Sequence, residues 1–273
     1  MRTSTALAVL MAFSLSCASE ALGQADSPIK GAAPDFEQLQ PDETGKVTKV
    51  IDGDTLLLEN GKQLRLVGIQ APKFPVGRRT GLTWPLAGEA KDTLEDLVLG
   101  QTISLFYGGA RLDRHSRTLA QATDSQGRWL QGELLQRGLA RVYSFADNRA
   151  MVAEMLSLER NARNARRGIW AHPFYAVRRH EDAEKDIGSF ELVEGRVLKV
   201  AIVGGRAYLN FGNDWQRDFT LVIESAERRR FEAEGFDPAF YQGRRIRVRG
   251  WLGLRNGATM NVTHPEQIEV LDK

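Results

Sequence analysis

Val50-Ile51-Asp52-Gly53-Asp54-Thr55 is the stretch that decides the fold, together with the run Leu64-Arg65-Leu66-Val67-Gly68-Ile69. The first stretch holds a tight turn at its two aspartates, with strand-like residues on either side. In the second stretch, apolar side chains alternate with Arg65, which is the period-two pattern of a β-strand. Between them, Asn60-Gly61 is typical of a hairpin turn because both residues tolerate positive φ. These features predict three consecutive strands joined by tight turns.

Helical and strand patterns alternate farther along the chain. Apolar spacing predicts helices over 87–99, with Gly100 as the end, and over 130–138. A third helix ends at Gly168, and its apolar stripe, whose methionines we assign to the core, consists of Met151, Met155, Leu158 and Ala162. Strands at 103–107 and 118–123 raise the number of strands to five. Five strands with helices predict a small barrel that carries its helices on one side.

The C-terminal part of the chain, 190–273, is again β-rich. Charged, irregular residues at 176–189 precede it and are predicted to be a linker. Candidate strands lie at 195–203, 206–211, 219–223, 244–252 and 267–271, with a helix at 226–234 before the fourth. This is the element order of an oligonucleotide/oligosaccharide-binding (OB) barrel. The predicted fold class is therefore mainly β with α: a five-stranded OB-type barrel with three helices at 45–175, followed by a second, smaller OB-like β-barrel.

The N-terminus has the pattern of a secretory signal peptide. Arg2 supplies a positive charge, an apolar run follows at 7–15, and small residues allow cleavage after Gly23 or Ala25. We therefore expect a signal peptide at 1–25, a flexible tether at 26–44, and an exported, periplasmic or extracellular protein. The single cysteine, Cys17, lies in this leader, so no disulfide partner is expected. No apolar run is long enough to span a membrane.

Bulk charge does not identify a nucleic-acid-binding protein, because the net charge of the 273 residues is +2. Basic surface must come from local clusters. Candidate nucleic-acid contacts are Arg114 in the first unit and Arg245, Arg247 and Trp251 in the second, where aromatics interleave with arginines. In the alternative interpretation, the residues between these arginines face the core and the aromatics fill it.

Asp52 and Asp54 could hold a hard cation through oxygen atoms, although calcium needs six to eight oxygens and a simple β-turn would use the same residues. Arg65 is a lone charge in an apolar strand, where a guanidinium is costly unless it faces a partner. Arg117 ends the turn-like run Asp113-Arg114-His115-Ser116-Arg117. Two arginines near a carboxylate pair form a bidentate clamp for a phosphate group.

These motifs, together with Gln70-Ala71-Pro72 and Arg137-Gly138-Leu139-Ala140, resemble the staphylococcal nuclease (thermonuclease) family in order and spacing over 45–172. The resemblance implies a five-stranded barrel with three helices and a calcium-dependent enzyme that cleaves DNA and RNA phosphodiesters. It implies that Asp54 is a metal ligand and that Arg65 and Arg117 grip the scissile phosphate. Asp52 and Asp113 take supporting roles.

Two positions depart from the family pattern. Gln70 stands where the family has a second metal-ligand aspartate, and Lys73 stands where it has the general-base glutamate. A glutamine carbonyl can still coordinate calcium, but an ammonium cannot accept a proton, and a lost general base typically costs ~10²–10⁴ in rate. In one hypothesis the Lys73 ammonium stands in place of calcium and helps to hold the phosphate. In the other, Lys73 points to solvent.

Two functional classes therefore remain open. One is an exported nuclease, a hydrolase that acts on DNA or RNA phosphodiesters with weak or altered catalysis. The other is a non-catalytic module that binds nucleic acid or another anionic polymer.

Overall fold

The computed structural model describes Phe36, residues 39–75 and residues 83–272, which belong to one compact unit. The predicted signal peptide and most of the predicted tether lie outside the described residues. The tether prediction was wrong for residues 40–44, which belong to a β-strand because they pair with residues 104–107 of a neighbouring strand. None of the described helices is long and apolar enough to cross a membrane.

A closed five-stranded barrel forms the N-terminal half, in the order β1-β2-β3-β6-β5. Strand β1 closes it because residues 40–46 pair with β5, whereas residues 47–52 pair with β2. The predicted five-stranded barrel with three helices is confirmed. Its elements are β1 (Gln40–Asp52), β2 (Thr55–Leu58), β3 (Gln63–Leu66), β4 (Gly68–Gln70), α1 (Ala87–Val98), β5 (Thr102–Tyr107), β6 (Thr118–Thr123), α2 (Leu130–Gln136), β7 (Arg141–Tyr143) and α3 (Val152–Asn164).

The barrel core follows from strand alternation. Leu64 and Leu66 of β3 point into the barrel and are fully buried, whereas Arg65 between them lies on the opposite face. Two glycines fix the chain around this strand. A Cβ on Gly53 would lie 2.7 Å from the Cβ of Ala90, so the turn and α1 approach too closely for any larger residue. Gly68 has φ +84°, and a Cβ atom at this position would collide with a methionine of α3.

The C-terminal half is an eight-stranded sheet in the order β10-β11-β12-β14-β13-β9-β8, with β15 paired to β13. The second closed barrel is not confirmed among the described strands. Its elements are β8 (Arg178–Arg179), β9 (Phe190–Arg196), β10 (Lys199–Val203), β11 (Arg206–Asn210), β12 (Thr220–Ile223), α4 (Ser225–Ala233), β13 (Arg245–Leu254), β14 (Ala258–Asn261) and β15 (Ile268–Val270).

Three details of this half differ from the sequence prediction. The single strand expected at 195–203 is two strands, β9 and β10, which are interrupted at 197–198 and pair with different neighbours, β13 and β11. The short strand β14 was not predicted. The segment expected to be a linker contains β8, which pairs with β9, and a 3-10 helix, His180–Asp186. The division of the chain into two domains remains a prediction.

Arg249 of β13 connects the two halves. Its guanidinium is buried and donates to the two carboxylate oxygens of Glu159 on α3, at 2.9 and 3.0 Å, and to Glu269 at 2.5 Å. Glu159 is also buried and accepts from the backbone N–H of Val142 at 2.6 Å. Burial alone would raise the pKa of Glu159, but the charge and hydrogen bonds of Arg249 outweigh burial and lower it.

We expect Arg249→Met to lower the free energy of unfolding by about 3 kcal/mol, the lower end of the range for a broken buried pair, because Glu159 then keeps only its ion pair with Arg163. Urea denaturation at pH 7 measures this change. The matched control is Arg245→Met on the same strand, where an exposed arginine pairs with Glu194. Its expected cost is below about 1 kcal/mol. Equal costs for the two variants would contradict the role assigned to Arg249.

Candidate phosphate-binding site

Asp54 is the centre of the candidate site and is fully buried just before β2. Its Oδ1 atom forms an ion pair with Nη1 of Arg65 at 2.7 Å, and it accepts from the hydroxyl of Thr55 at 3.0 Å and from the ammonium of Lys73. Its Oδ2 atom accepts from the backbone N–H of Ala71 at 2.7 Å. Burial alone would raise the pKa of Asp54. The positive charges of Arg65 and Lys73 outweigh burial and hold that pKa well below its ordinary value.

Arg65 reaches this carboxylate because β3 turns its side chain away from the barrel core. The guanidinium also donates from Nη1 to the backbone carbonyls of Asp54 and Leu66 at 3.3 Å, and from Nη2 to that of Ile69 at 2.7 Å. These oxygens offset the cost of burying the charge. Within the described part of the chain, all hydrogen bonds of the Arg65 side chain come from Nη1 and Nη2.

Lys73 lies between the two turn carboxylates. Its Nζ atom is 3.0 Å from Oδ2 of Asp52 and also contacts Oδ1 of Asp54. This is the placement that the first of the two Lys73 hypotheses requires. Asp52 in turn accepts from the backbone N–H of Asp54 at 3.0 Å. Burial and the neighbouring charge of Asp54 raise the pKa of Asp52, and Lys73 opposes that shift.

Gln70 directs its side chain to Arg141 and not to Asp54. Its Oε1 atom accepts from Nε of Arg141 at 3.0 Å and from Nη2 at 2.8 Å. The two residues are partners in the β4–β7 ladder. Arg141 is buried, and its Cζ atom lies 5.7 Å from the ring centroid of Trp84 and 4.8 Å from that of Phe190. Burial lowers the pKa of Arg141, with Glu191 as the main opposing charge.

Arg141 was not among the residues predicted from the sequence, although the signal was present. Arg141 is an isolated charge in the apolar run Leu139-Ala140-Arg141-Val142, the same pattern that singled out Arg65. The backbone N–H of Trp84 donates to the carbonyl of Lys73 at 2.9 Å. Trp84 and Arg141 therefore belong to the immediate surroundings of the site.

Arg117 is held by Asp113 from the same loop. Both Nε and Nη2 of Arg117 lie 2.7 Å from Oδ2 of Asp113. Burial alone would raise the pKa of Asp113, but the hydrogen bonds from Arg117 lower it. Arg117 directly precedes β6, in which Leu119 is the register partner of Arg65. Since alternate residues share a face, Arg117 lies on the face of Arg65, about 7 Å along the strand.

The remaining candidate contacts lie elsewhere. Arg114 is exposed in the loop of Arg117, where its Nε donates to His115. Arg245 and Arg247 both pair with Glu194. Trp251 is 53% exposed and donates from Nε1 to the hydroxyl of Tyr143 at 2.9 Å. The structure does not bring these four residues together with Asp54, and their role in binding nucleic acid remains a prediction.

The donor atoms of the site do not fit calcium. Calcium binds six to eight oxygens. Here each oxygen of Asp52, Asp54 and Gln70 that could coordinate it already accepts from a cation or an N–H group. No cluster of three or more His, Cys, Asp or Glu side chains occurs in the part of the chain that is described. The predicted ligand pair Asp54 and Gln70 does not converge on one point.

The barrel is similar in sequence to known proteins. The family model for staphylococcal nuclease homologues matches residues 63–172, which include Arg65, Gln70, Lys73 and Arg117. A thermonuclease of Staphylococcus hyicus is 31% identical over 139 residues, which are 48% of this chain and 78% of that protein. Protein ParB of Escherichia coli is 31% identical over 175 residues, which are 58% of this chain and 89% of that protein.

The lowered pKa of Asp54 predicts a pH-dependent stability. The ionised carboxylate stabilises the fold fully above the ordinary aspartate pKa of about 4, and this stabilisation is lost as the pH falls toward the lower folded-state pKa. We expect Asp54→Asn to cost about 3–5 kcal/mol at pH 7 and less at pH 3. Urea denaturation of both proteins at several pH values measures the difference. A cost that does not change with pH would contradict this prediction.

Because the side-chain oxygens of Asp52, Asp54 and Gln70 already have partners within the protein, we predict that calcium does not stabilise the wild-type protein. Reverting both departures, in Gln70→Asp/Lys73→Glu, removes the competing ammonium and adds two carboxylates. If that variant binds calcium, a concentration of one hundred times Kd adds about 2.7 kcal/mol to its stability. Thermal unfolding with calcium chloride, reversed by a chelator, measures this effect. A calcium-dependent rise in the wild-type Tm that is lost in Asp54→Asn would contradict the prediction.

Proposed function

This chain belongs to the staphylococcal nuclease family, and from that premise we propose that its barrel acts on nucleic-acid phosphodiesters with weak or altered catalysis. The observation that carries the proposal is the position of the Lys73 ammonium against both turn carboxylates, beside Arg65. The site keeps the two phosphate-gripping arginines of the family pattern. In this proposal the ammonium of Lys73, which is covalently attached to the chain, takes the place of the divalent ion of the family pattern.

The charges of the site support phosphate binding. Relative to the family pattern, Gln70 removes one negative charge and Lys73 changes the charge by two units, so that the protein groups are three units more positive. This change exceeds the charge of one calcium ion. An ammonium has three donors, and two of those of Lys73 face Asp52 and Asp54. In the proposed complex, the third donor and the Nε–H of Arg65 bind a phosphate oxygen.

The same arrangement limits catalysis. Arg65, Arg117 and Lys73 can stabilise the negative charge that develops on a pentacoordinate phosphorus, which is an electrostatic contribution. None of the three accepts a proton from water, and a missing general base costs about 10²–10⁴ in rate. We therefore propose slow hydrolysis that does not depend on calcium.

A second candidate is a non-catalytic module that binds nucleic acid. The observation that favours it is the bidentate contact of Gln70 with Arg141, which removes a polar oxygen from the side of the site where the family pattern has a metal ligand. Under either candidate we propose export, which is supported by the charged and apolar pattern at the N-terminus.

Digestion of plasmid and single-stranded DNA, with calcium or with a chelator, tests the proposal. We expect slow cleavage that changes less than about twofold with the chelator and falls at least about tenfold in Arg117→Ala, since a lost charge-stabilising donor costs ~10²–10³. The control is Arg229→Ala, which removes an exposed arginine on α4.

Three results would count against the proposal in different ways. Equal cleavage by Arg117→Ala and the wild type would assign the activity to a contaminant. Cleavage that requires calcium would contradict the role of Lys73. Salt-sensitive binding without cleavage, weakened in Arg117→Ala, would support the binding module.

A further inference from the structure

A groove of about 940 Å³ crosses the C-terminal sheet over β10, β11, β12 and β14. The strand register lines up one side chain from each strand along its floor. This polar row consists of Lys199, Asn210, Thr220 and Thr259. The alternate residues of the same strands point the other way and are fully buried, namely Leu209, Leu221 and Met260. The floor of the groove is therefore the face of the sheet opposite to its buried core face, and it carries polar side chains.

Two loops form one rim of the groove. The loop between β11 and β12 presents Trp215, whose side chain is 59% exposed, and the turn between β13 and β14 presents Arg255. The loops touch each other, because a Cβ on Gly257 would lie 2.3 Å from the carbonyl oxygen of Arg217. The exposed indole and the guanidinium thus belong to two loops in contact with each other, and both residues line the groove.

The charges of the groove are of one sign. Its described lining residues include Lys199 and Arg255 and no carboxylate. The acidic side chains of the β11–β12 loop, Asp214 and Asp218, do not line it: Asp218 accepts from the backbone N–H of Asp214 at 2.7 Å, and Asp214 accepts from that of Gln216 at 3.1 Å. The charged residues of the lining itself are therefore all positive.

We propose that this groove binds a single-stranded segment of nucleic acid. An exposed aromatic offers a stacking surface to any base, and a basic groove follows the phosphate backbone. Here Trp215 and the neighbouring Tyr208 supply the aromatic rings, and Lys199 and Arg255 supply the charges. The amides of Asn210 and Asn256 line the same groove and can hydrogen-bond to base edges.

Strand β13 connects the groove to the barrel. Strand β13 runs from the buried Arg249 to the end of the sheet next to Arg255, a distance of about 20 Å for six extended residues. The inference rests on the proposed function in one respect: the single-stranded nucleic acid in the groove would be part of the same molecule on which the barrel site acts. The groove would then choose single-stranded substrates.

Fluorescence anisotropy of a labelled oligothymidylate of about twelve nucleotides, with the full chain, tests the inference. We expect Trp215→Ala to weaken binding about tenfold, which is typical of the loss of one stacked base. We expect Lys199→Glu/Arg255→Glu to reduce the slope of log K against log salt by about 0.7 for each cation lost. The matched controls, Phe240→Ala and Arg229→Glu, change an exposed aromatic and an exposed arginine outside the groove and should bind as the wild type does.

The outcomes separate this inference from the proposed function. If Arg117→Ala loses cleavage but still binds the oligothymidylate, and the groove variants lose binding, the inference is supported. If the groove variants bind as the wild type does, the inference is overturned, whatever the barrel variant does. Quenching of Trp215 by maltohexaose but not by the oligothymidylate would also overturn it, because the groove would then bind a neutral oligosaccharide.

Discussion

The buried carboxylate of Asp54 is the constraint on which the rest of the site depends. An ionised group without solvent must be paired, and the barrel meets this requirement with Arg65 from the neighbouring strand and Lys73 from the loop after β4. The close approach of α1 at Gly53 and the backbone N–H of Ala71 complete its surroundings. The loop of Lys73 is thus tied to the strand of Arg65 through a single carboxylate.

This constraint explains why the departures at Gln70 and Lys73 are compatible with the fold. If positions 70 and 73 were acidic, as in the family pattern, their carboxylates would repel those of Asp52 and Asp54 in the absence of a divalent ion. The ammonium of Lys73 instead pairs with Asp52 and Asp54 from within the chain. Gln70 then becomes the acceptor for Arg141, which is buried among aromatic rings. The two substitutions therefore act together: one supplies a cation, and the other supplies a neutral acceptor for a second cation.

Local patterns in the sequence predicted much of this arrangement. The turn at Asp52 and Asp54, the outward-facing Arg65 and the five strands of the barrel all follow from spacing within a few residues. Arg141 shows the same signal as Arg65, whereas Arg249 is one of several arginines that alternate along its strand; their acceptors lie 71 and 90 residues away, and no local pattern contains that pairing. The closed second barrel was expected from strand order alone, which does not specify how β13 pairs with β9, β14 and β15.

The ion pair between Arg249 and Glu159 has a consequence for the independence of the barrel. The match to the family model ends at residue 172, yet α3 carries a buried acidic side chain whose main partner belongs to the sheet that follows. Without that sheet, Glu159 would lose the guanidinium of Arg249, and the hydroxyl of Tyr143 would lose the indole N–H of Trp251. The stability of the barrel is therefore tied to a part of the chain that lies beyond the family match.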